Sequence, residues 1–403
     1  MKKIKRLDKI NSLTKFLFAV FSVFILFAFT EIILANFSKF SETLNNLEYY
    51  AGISFSDEDL KTAIKAREDL ALIDERIIGV PGTTVYKYRT ARVDSFNFNS
   101  LGFRGEEPGK KEENEFRIAV FGDSRIVGIY LAEDKTIPSV VGKRLKANFP
   151  DTKITVFNLG IEGYELQRAI AFAELTAEDL QLDMAVFCTA INDVNYSFEN
   201  GPSDLPPFTS QDEIYQNLVE NIAENKKKPF YKRSRLISII KEAFMSDFVK
   251  YSSSFPKDKI FAPLLPEYEK RAVDSADKFI ERMTETSNKF SKKGIKTVFF
   301  IPPALQMKKK WSMLEQNLIY KNETLLRGYN NYAVKFIEHI KESEDPLVFS
   351  QAKVFDETSD TMIFDGIHLT PQASELVADD IAEKITPIIR ELISKKNFSS
   401  EKK

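Results

Sequence analysis

The stretch Phe116-Arg117-Ile118-Ala119-Val120-Phe121-Gly122-Asp123-Ser124 decides how the chain is read. A run rich in aliphatic and aromatic side chains stops at a glycine, an acid and a serine. Such nearly continuous apolarity suits a strand buried on both faces, as in a parallel sheet. The unit recurs. Ile154 to Phe157 leads into Asn158-Leu159-Gly160, and Met184 to Cys188 is followed by Ala190-Ile191-Asn192-Asp193. Ile295 to Ile301 and a weaker run at Lys353 to Phe355 extend the series. Stretches of helical period lie between: Thr136 caps a helix with Pro138 in its first turn and Ile137, Val140, Val141 and Leu145 on one face. A second helix after Tyr164 aligns Leu166, Ile170 and Ala173. A third, from Pro371, aligns Leu376, Val377, Ile381, Ile385, Ile388 and Leu392, and Pro387 is expected to kink or divide it. Strands alternating with helices predict a parallel sheet with crossover helices.

In an open parallel sheet, ligands bind at the carboxyl edge near the switch in strand order. Gly122-Asp123-Ser124, Asn158-Leu159-Gly160 and Asn192-Asp193 each follow a strand and so share that edge. Asp365-Gly366-Ile367-His368-Leu369, after the last strand, joins them. Each motif alone is an ordinary turn or helix cap. Together they bring a nucleophile and its partners to one place. A serine hydroxyl is a poor nucleophile until a base takes its proton, and His368 can do so. Asp365 can fix the tautomer of that histidine and stabilise its charged form. The other histidine, His339, lies in the helical pattern Ala333 to Ile340 and is read as structural.

The blocks Phe121-Gly122-Asp123-Ser124, Asn158-Leu159-Gly160-Ile161-Glu162-Gly163, Ile191-Asn192-Asp193 and Asp365-Gly366-Ile367-His368-Leu369-Thr370 resemble the four signature blocks of SGNH/GDSL hydrolases. The likeness covers about Phe116 to Ile393. Asn99-Ser100-Leu101-Gly102-Phe103-Arg104-Gly105 is similar to a stretch preceding the first block in membrane-linked bacterial members. The resemblance implies a three-layer α/β/α domain with flavodoxin-like strand order, and hydrolysis or transfer at an ester. It implies Ser124, Asp365 and His368 as the triad. It also implies an oxyanion hole made by the N–H groups of Ser124 and Gly160 and the Asn192 amide. The third block normally opens with glycine, and Ala190 stands there. A negative φ is expected at Ala190, with its methyl narrowing the pocket; the alternative is a positive φ, which would strain alanine and displace Asn192.

The chain of 403 residues can bury a sizeable core, and its net charge of -2 gives no global basic footprint, so no nucleic-acid partner is expected. One cysteine and two histidines make a Cys/His zinc site implausible, and no metal or cofactor is expected. Cys188 reads as a small buried hydrophobe.

Met1 to Lys15 carries six basic residues, and Phe16 to Ala35 is apolar except for Ser22, Thr30 and Glu31. That run is about 30 Å long as a helix, enough to span a bilayer core. It is read as an uncleaved anchor with a cytoplasmic N-terminus, which would put the catalytic domain outside the cytoplasm. A cleaved signal fits less well because Ile33 is bulky for a position near the cut. A buried or interfacial helix is a further alternative. Residues 36–115 then form a membrane-proximal region, with a helix from Asp57 to Asp74 and a charged linker from Glu106 to Glu115. Residues 116–393 form the hydrolase domain, with a helical insertion over about 196–293, and 394–403 are a polar tail. The basic cluster Lys226 to Arg235 reads as a solvated helix face, and Lys308 to Trp311 as a surface loop anchored by its tryptophan.

The expected function is cleavage or transfer of acyl esters, on envelope glycans or lipids. An O-acyltransferase using the same serine and an inactive binding or assembly module are the alternatives.

Overall fold

The computed structural model describes residues 55–73, 77–209, 261–343, 345 and 347–400. The apolar run Phe16 to Ala35 and the basic cluster Lys226 to Arg235 lie outside the described residues. Among the described residues, no helix is long and apolar enough to cross a membrane.

The central sheet has five parallel strands: β1 Glu115–Gly122, β2 Lys153–Gly160, β3 Met184–Cys188, β4 Lys296–Ile301 and β5 Val348–Ser350. Their order is β2-β1-β3-β4-β5, the flavodoxin-like arrangement that the resemblance implies. Gly122 pairs with both Gly160 and Cys188, so the carboxyl ends of β1, β2 and β3 align.

Alternation along each strand supplies two cores. Ile118, Val120, Val186 and Phe300 face α3 (Ile137–Asn148), α7 (Met313–Leu325) and α9 (Pro371–Ser400). Ala119, Phe121, Phe187 and Phe299 face α4 (Leu166–Thr176), α6 (Pro266–Lys292) and α8 (Tyr329–Glu342). On the second face Phe121, Phe187 and Phe299 stack across three strands, with centroids 5.2 and 5.1 Å apart. Such cross-strand aromatic pairs add to simple burial and pin register.

Three expectations change. The last strand is Val348–Ser350, not Lys353 to Phe355: the later residues form turns, with Val354 and Asp356 N–H groups bonded to Gln351 and Lys353 carbonyls. Phe355 is buried all the same, so apolarity marked the core and not the extended backbone. Of the two effects expected at Pro387, division does not occur: α9 passes through it as one helix and reaches Ser400. Ile385 and Ile389 are buried on either side of the proline, and packing of both turns outweighs the lost hydrogen bond. Of the insertion expected over 196–293, residues 210–260 lie outside the described residues. Its C-terminal part, α6, is the crossover helix between β3 and β4, burying Ala272, Ala276, Phe279, Met283 and Phe290.

The region before β1 shares the main core. Helix α1 (Asp57–Ile73) is followed by two antiparallel pairs, Ile77–Gly79 with Tyr86–Tyr88 and Ala91–Arg92 with Asn97–Phe98. Tyr88, Phe96, Phe98 and Phe103 are buried in the same cluster as Phe121.

Candidate active site

Ser124 opens α2 (Ser124–Val127), a single turn at the end of β1. Asp123 caps it, accepting the Arg125 N–H at 2.9 Å, and forms a buried ion pair with the Arg125 guanidinium at 2.9 Å. Gly128, at φ 71°, ends the turn in the left-handed region. Arg104 secures it from below. Its guanidinium is fully buried, donates to the carbonyls of Val127 (2.7 Å), Gly128 (2.8 Å), Leu131 and Ser95, and pairs with Glu133. A cation at a helix C-terminus also suits the direction of the helix dipole.

His368 Nε2 stands 2.9 Å from Ser124 Oγ, and His368 Nδ1 stands 2.6 Å from Asp365 Oδ2. Asp365 Oδ1 also accepts the N–H groups of Ile367 and His368, at 3.0 and 2.7 Å. The carboxylate therefore folds its own loop and orients the ring. Burial alone would raise the Asp365 pKa, but His368 and these donors take it down to about 2. Burial alone would lower that of His368, but the Asp365 charge and hydrogen bond leave it raised.

The loop is held from behind by Glu315, whose Oε1 accepts the Met362 and Ile363 N–H groups at 2.9 and 3.2 Å. Lys308 completes the clasp, bonding Glu315 at 2.6 Å and the Asp360 carbonyl at 2.5 Å. Lys308 is thus buried in an ion pair instead of lying on a surface loop. Trp311 does anchor the segment, through Nε1 to the Leu305 carbonyl.

The expected oxyanion donors fare differently. Asn192, at the start of α5 (Ile191–Asn200), donates from Nδ2 to the Tyr164 carbonyl at 3.0 Å, which leaves its second amide hydrogen free of that bond. The Gly160 N–H is already given to Asn158 Oδ1 at 3.1 Å. A Cβ at Gly160 would lie 2.1 Å from the Val127 nitrogen, so glycine is required there to let β2 meet α2. Ala190 has φ 158° and ψ -28°, against the expected negative φ. Its backbone sits in a region glycine tolerates best. Asp193 accepts the Leu166 N–H through both oxygens, at 3.0 and 3.2 Å, and so ties α5 to the start of α4.

No family model matches the chain, and no curated protein matches it. Several solved structures resemble it at low identity. LAE5, an alpha/beta hydrolase enzyme from the metagenome of Lake Arreo, is 14% identical, over 67% of this chain and 94% of that one, with a TM-score of 0.34. The acetyl xylan esterase AlAXEase is 16% identical over 67% and 100% of the two chains, TM-score 0.34. A putative lipolytic protein of the G-D-S-L family from Desulfitobacterium hafniense DCB-2 is 11% identical over 66% and 98%, TM-score 0.34. Likeness this distant carries no weight on the chemistry.

His339 bonds Asp277 at 2.8 Å on the far helices, apart from the triad. Cys188 is buried in β3 and burial pushes its thiol up to about 12, so it is no nucleophile. Sequence reading assigned these roles to none of Arg104, Lys308 and Glu315, placing Arg104 only in a stretch similar to membrane-linked members and Lys308 only on a surface loop. Ser312 and Glu315 carry the readable spacing of a capping box, which they form. Nothing in that spacing tells of the second task at residues 360–363.

Proposed function

We propose that the chain is a serine hydrolase of carboxylic esters of the SGNH/GDSL kind, acting outside the cytoplasm from an N-terminal membrane anchor. The observation that carries the reading is the pair of contacts from His368, 2.9 Å to Ser124 Oγ and 2.6 Å to Asp365. As Ser124 Oγ attacks the ester carbonyl, its proton passes to His368 Nε2, and Asp365 stabilises the resulting imidazolium. The oxyanion receives the Ser124 N–H and the free Asn192 amide hydrogen. The tetrahedral adduct collapses, its C–O bond breaks, and the alcohol leaves with the proton from His368. Water then attacks the acyl-serine, losing a proton to His368, and the carboxylic acid departs as Ser124 is restored. An anchor at Phe16 to Ala35 fits the sequence pattern, and glycan or lipid esters of the cell envelope are the substrates that this placement would bring within reach.

One experiment tests both chemistry and location: intact cells expressing the chain are exposed to membrane-permeant and membrane-impermeant fluorophosphonates. Both probes should label the protein, and neither should label Ser124→Ala. Labelling by the permeant probe alone would refute the location, and equal labelling of Ser124→Ala would refute the serine mechanism.

A further inference from the structure

The geometry points to a substrate-binding pair beside the triad, Arg67 of α1 and Glu162 of the loop after β2, which takes an uncharged, hydroxylated group such as a sugar ring. This rests on the esterase reading for the identity of the substrate, but not for the binding itself.

Helix α1 forms a wall of the site. Ala63 and Phe364 pack together, with Phe55, Leu60, Ile64 and Tyr130 against them. Phe364 immediately precedes Asp365, and the Tyr130 ring stands edge-on to His368 with centroids 5.0 Å apart. From this wall Arg67 reaches Glu162, with Nη1 3.6 Å from Oε1. That is an ion pair without a hydrogen bond. Arg67 Nη1 is buried and has no hydrogen-bond partner, although buried donors are nearly always satisfied.

Glu162 is fixed through its carbonyl, which accepts the Tyr86 hydroxyl at 2.5 Å. Two residues on, the Tyr164 carbonyl holds the Asn192 amide, so Glu162 lies between the end of β2 and the oxyanion donor. Burial holds the Tyr130 hydroxyl above its ordinary value, and the charges of Asp365, Arg67 and Glu162 all act on it. The pair is thus within electrostatic reach of the triad.

Charge selects the ligand. An anion drawn to Arg67 meets the Glu162 carboxylate, and a cation drawn to Glu162 meets the guanidinium. A hydroxyl suffers neither penalty, because it accepts from Arg67 and donates to Glu162. Neighbouring hydroxyls of a sugar engage both at once at the parts of the two side chains that reach solvent, 22% of Arg67 and 34% of Glu162.

The test is binding of acetylated cellobiose to the full chain carrying Ser124→Ala, followed by calorimetry. Saturable binding is expected, weakened on the order of tenfold or more when Arg67→Met or Glu162→Gln is added, as loss of a hydrogen bond to a charged group implies. The near-isosteric Glu162→Gln, checked by its melting temperature, guards against misfolding of the Arg67 variant. Equal affinity in all three proteins, or none in the Ser124→Ala parent, overturns the proposal. With Ser124 present, the ratio of kcat/KM for acetylated cellobiose to that for phenyl acetate should fall by a similar factor in either variant. A parent inert to both esters, yet binding the sugar through the pair, would sink the esterase reading and sustain this one.

Discussion

Two opposing influences set the proton affinity of His368. Its enclosure disfavours the charged ring, while Asp365 at 2.6 Å favours it, and the balance lies above the ordinary value of 6.5. A protonated ring cannot accept the Ser124 proton. Hence kcat/KM should fall as pH drops through a midpoint above 6.5, the profile of the free enzyme reporting this ionisation. Asp365→Asn should shift that midpoint down and lower kcat on the order of 10³–10⁴-fold, because the ring loses both its partner charge and its enforced tautomer. A midpoint unmoved in Asp365→Asn would show that the carboxylate does not act on the ring. Ser124 was legible in the sequence because it closely follows a strand, and Asp365 and His368 because two chemically distinct types stand three residues apart just before the last helix. What Gly160 approaches was not legible, because glycine signals a close approach without saying of what. Here the approaching group is the backbone of Val127.

Elements are joined at the site by groups whose partners are main-chain atoms, and this explains what the sequence left hidden. Helix and strand periods could be read from side chains, but Glu315 binds N–H groups and Arg104 binds carbonyls, which every residue carries. Asp193 is of the same kind, joining α5 to α4. Burial, with the neighbouring Glu165, raises its pKa to about 7, above the 3.8 of a free side chain. A raised folded value means that the contribution to stability is fully present below the unfolded pKa and is lost as pH rises through about 7. Asp193→Asn keeps an oxygen for the Leu166 N–H and removes the ionisation. Melting curves between about pH 5 and 8, the range of ordinary stability maxima, should therefore show a smaller loss at the alkaline end in Asp193→Asn than in the parent. Asp193→Ala, lacking the acceptor, should be less stable by about 1–3 kcal/mol throughout. Parallel pH dependence in parent and Asp193→Asn would assign the ionisation to another group.

The sequence pattern divides the described chain near residue 115, where the strand–helix alternation begins, but the packing does not divide there. Residues 77–108 bury Tyr88, Phe96, Phe98 and Phe103 in the cluster that contains Phe121, and Arg104 alone closes four carbonyls, two of them at the end of the helix that bears Ser124. No short-range period reports such contacts, because they join segments far apart along the chain. If residues before β1 were a separable stalk, a chain cut to begin at Phe116 would keep a cooperative melt and react with fluorophosphonate like the full chain. The opposite is expected. Removing the segment uncovers a contiguous apolar face of the sort that drives association, and it leaves the Val127, Gly128 and Leu131 carbonyls without their shared donor. The truncated protein should lose its single transition and bind a hydrophobic dye. Arg104→Met in the full chain separates the two effects, since it retains the aromatic packing. It should remain folded with a lower melting temperature and label at Ser124 at least about tenfold more slowly, a 1 Å misplacement of catalytic groups costing on the order of 10²-fold. Labelling of Arg104→Met at the parent rate would mean that α2 holds Ser124 in place unaided, and the whole dependence on the N-terminal segment would then reduce to its apolar side chains.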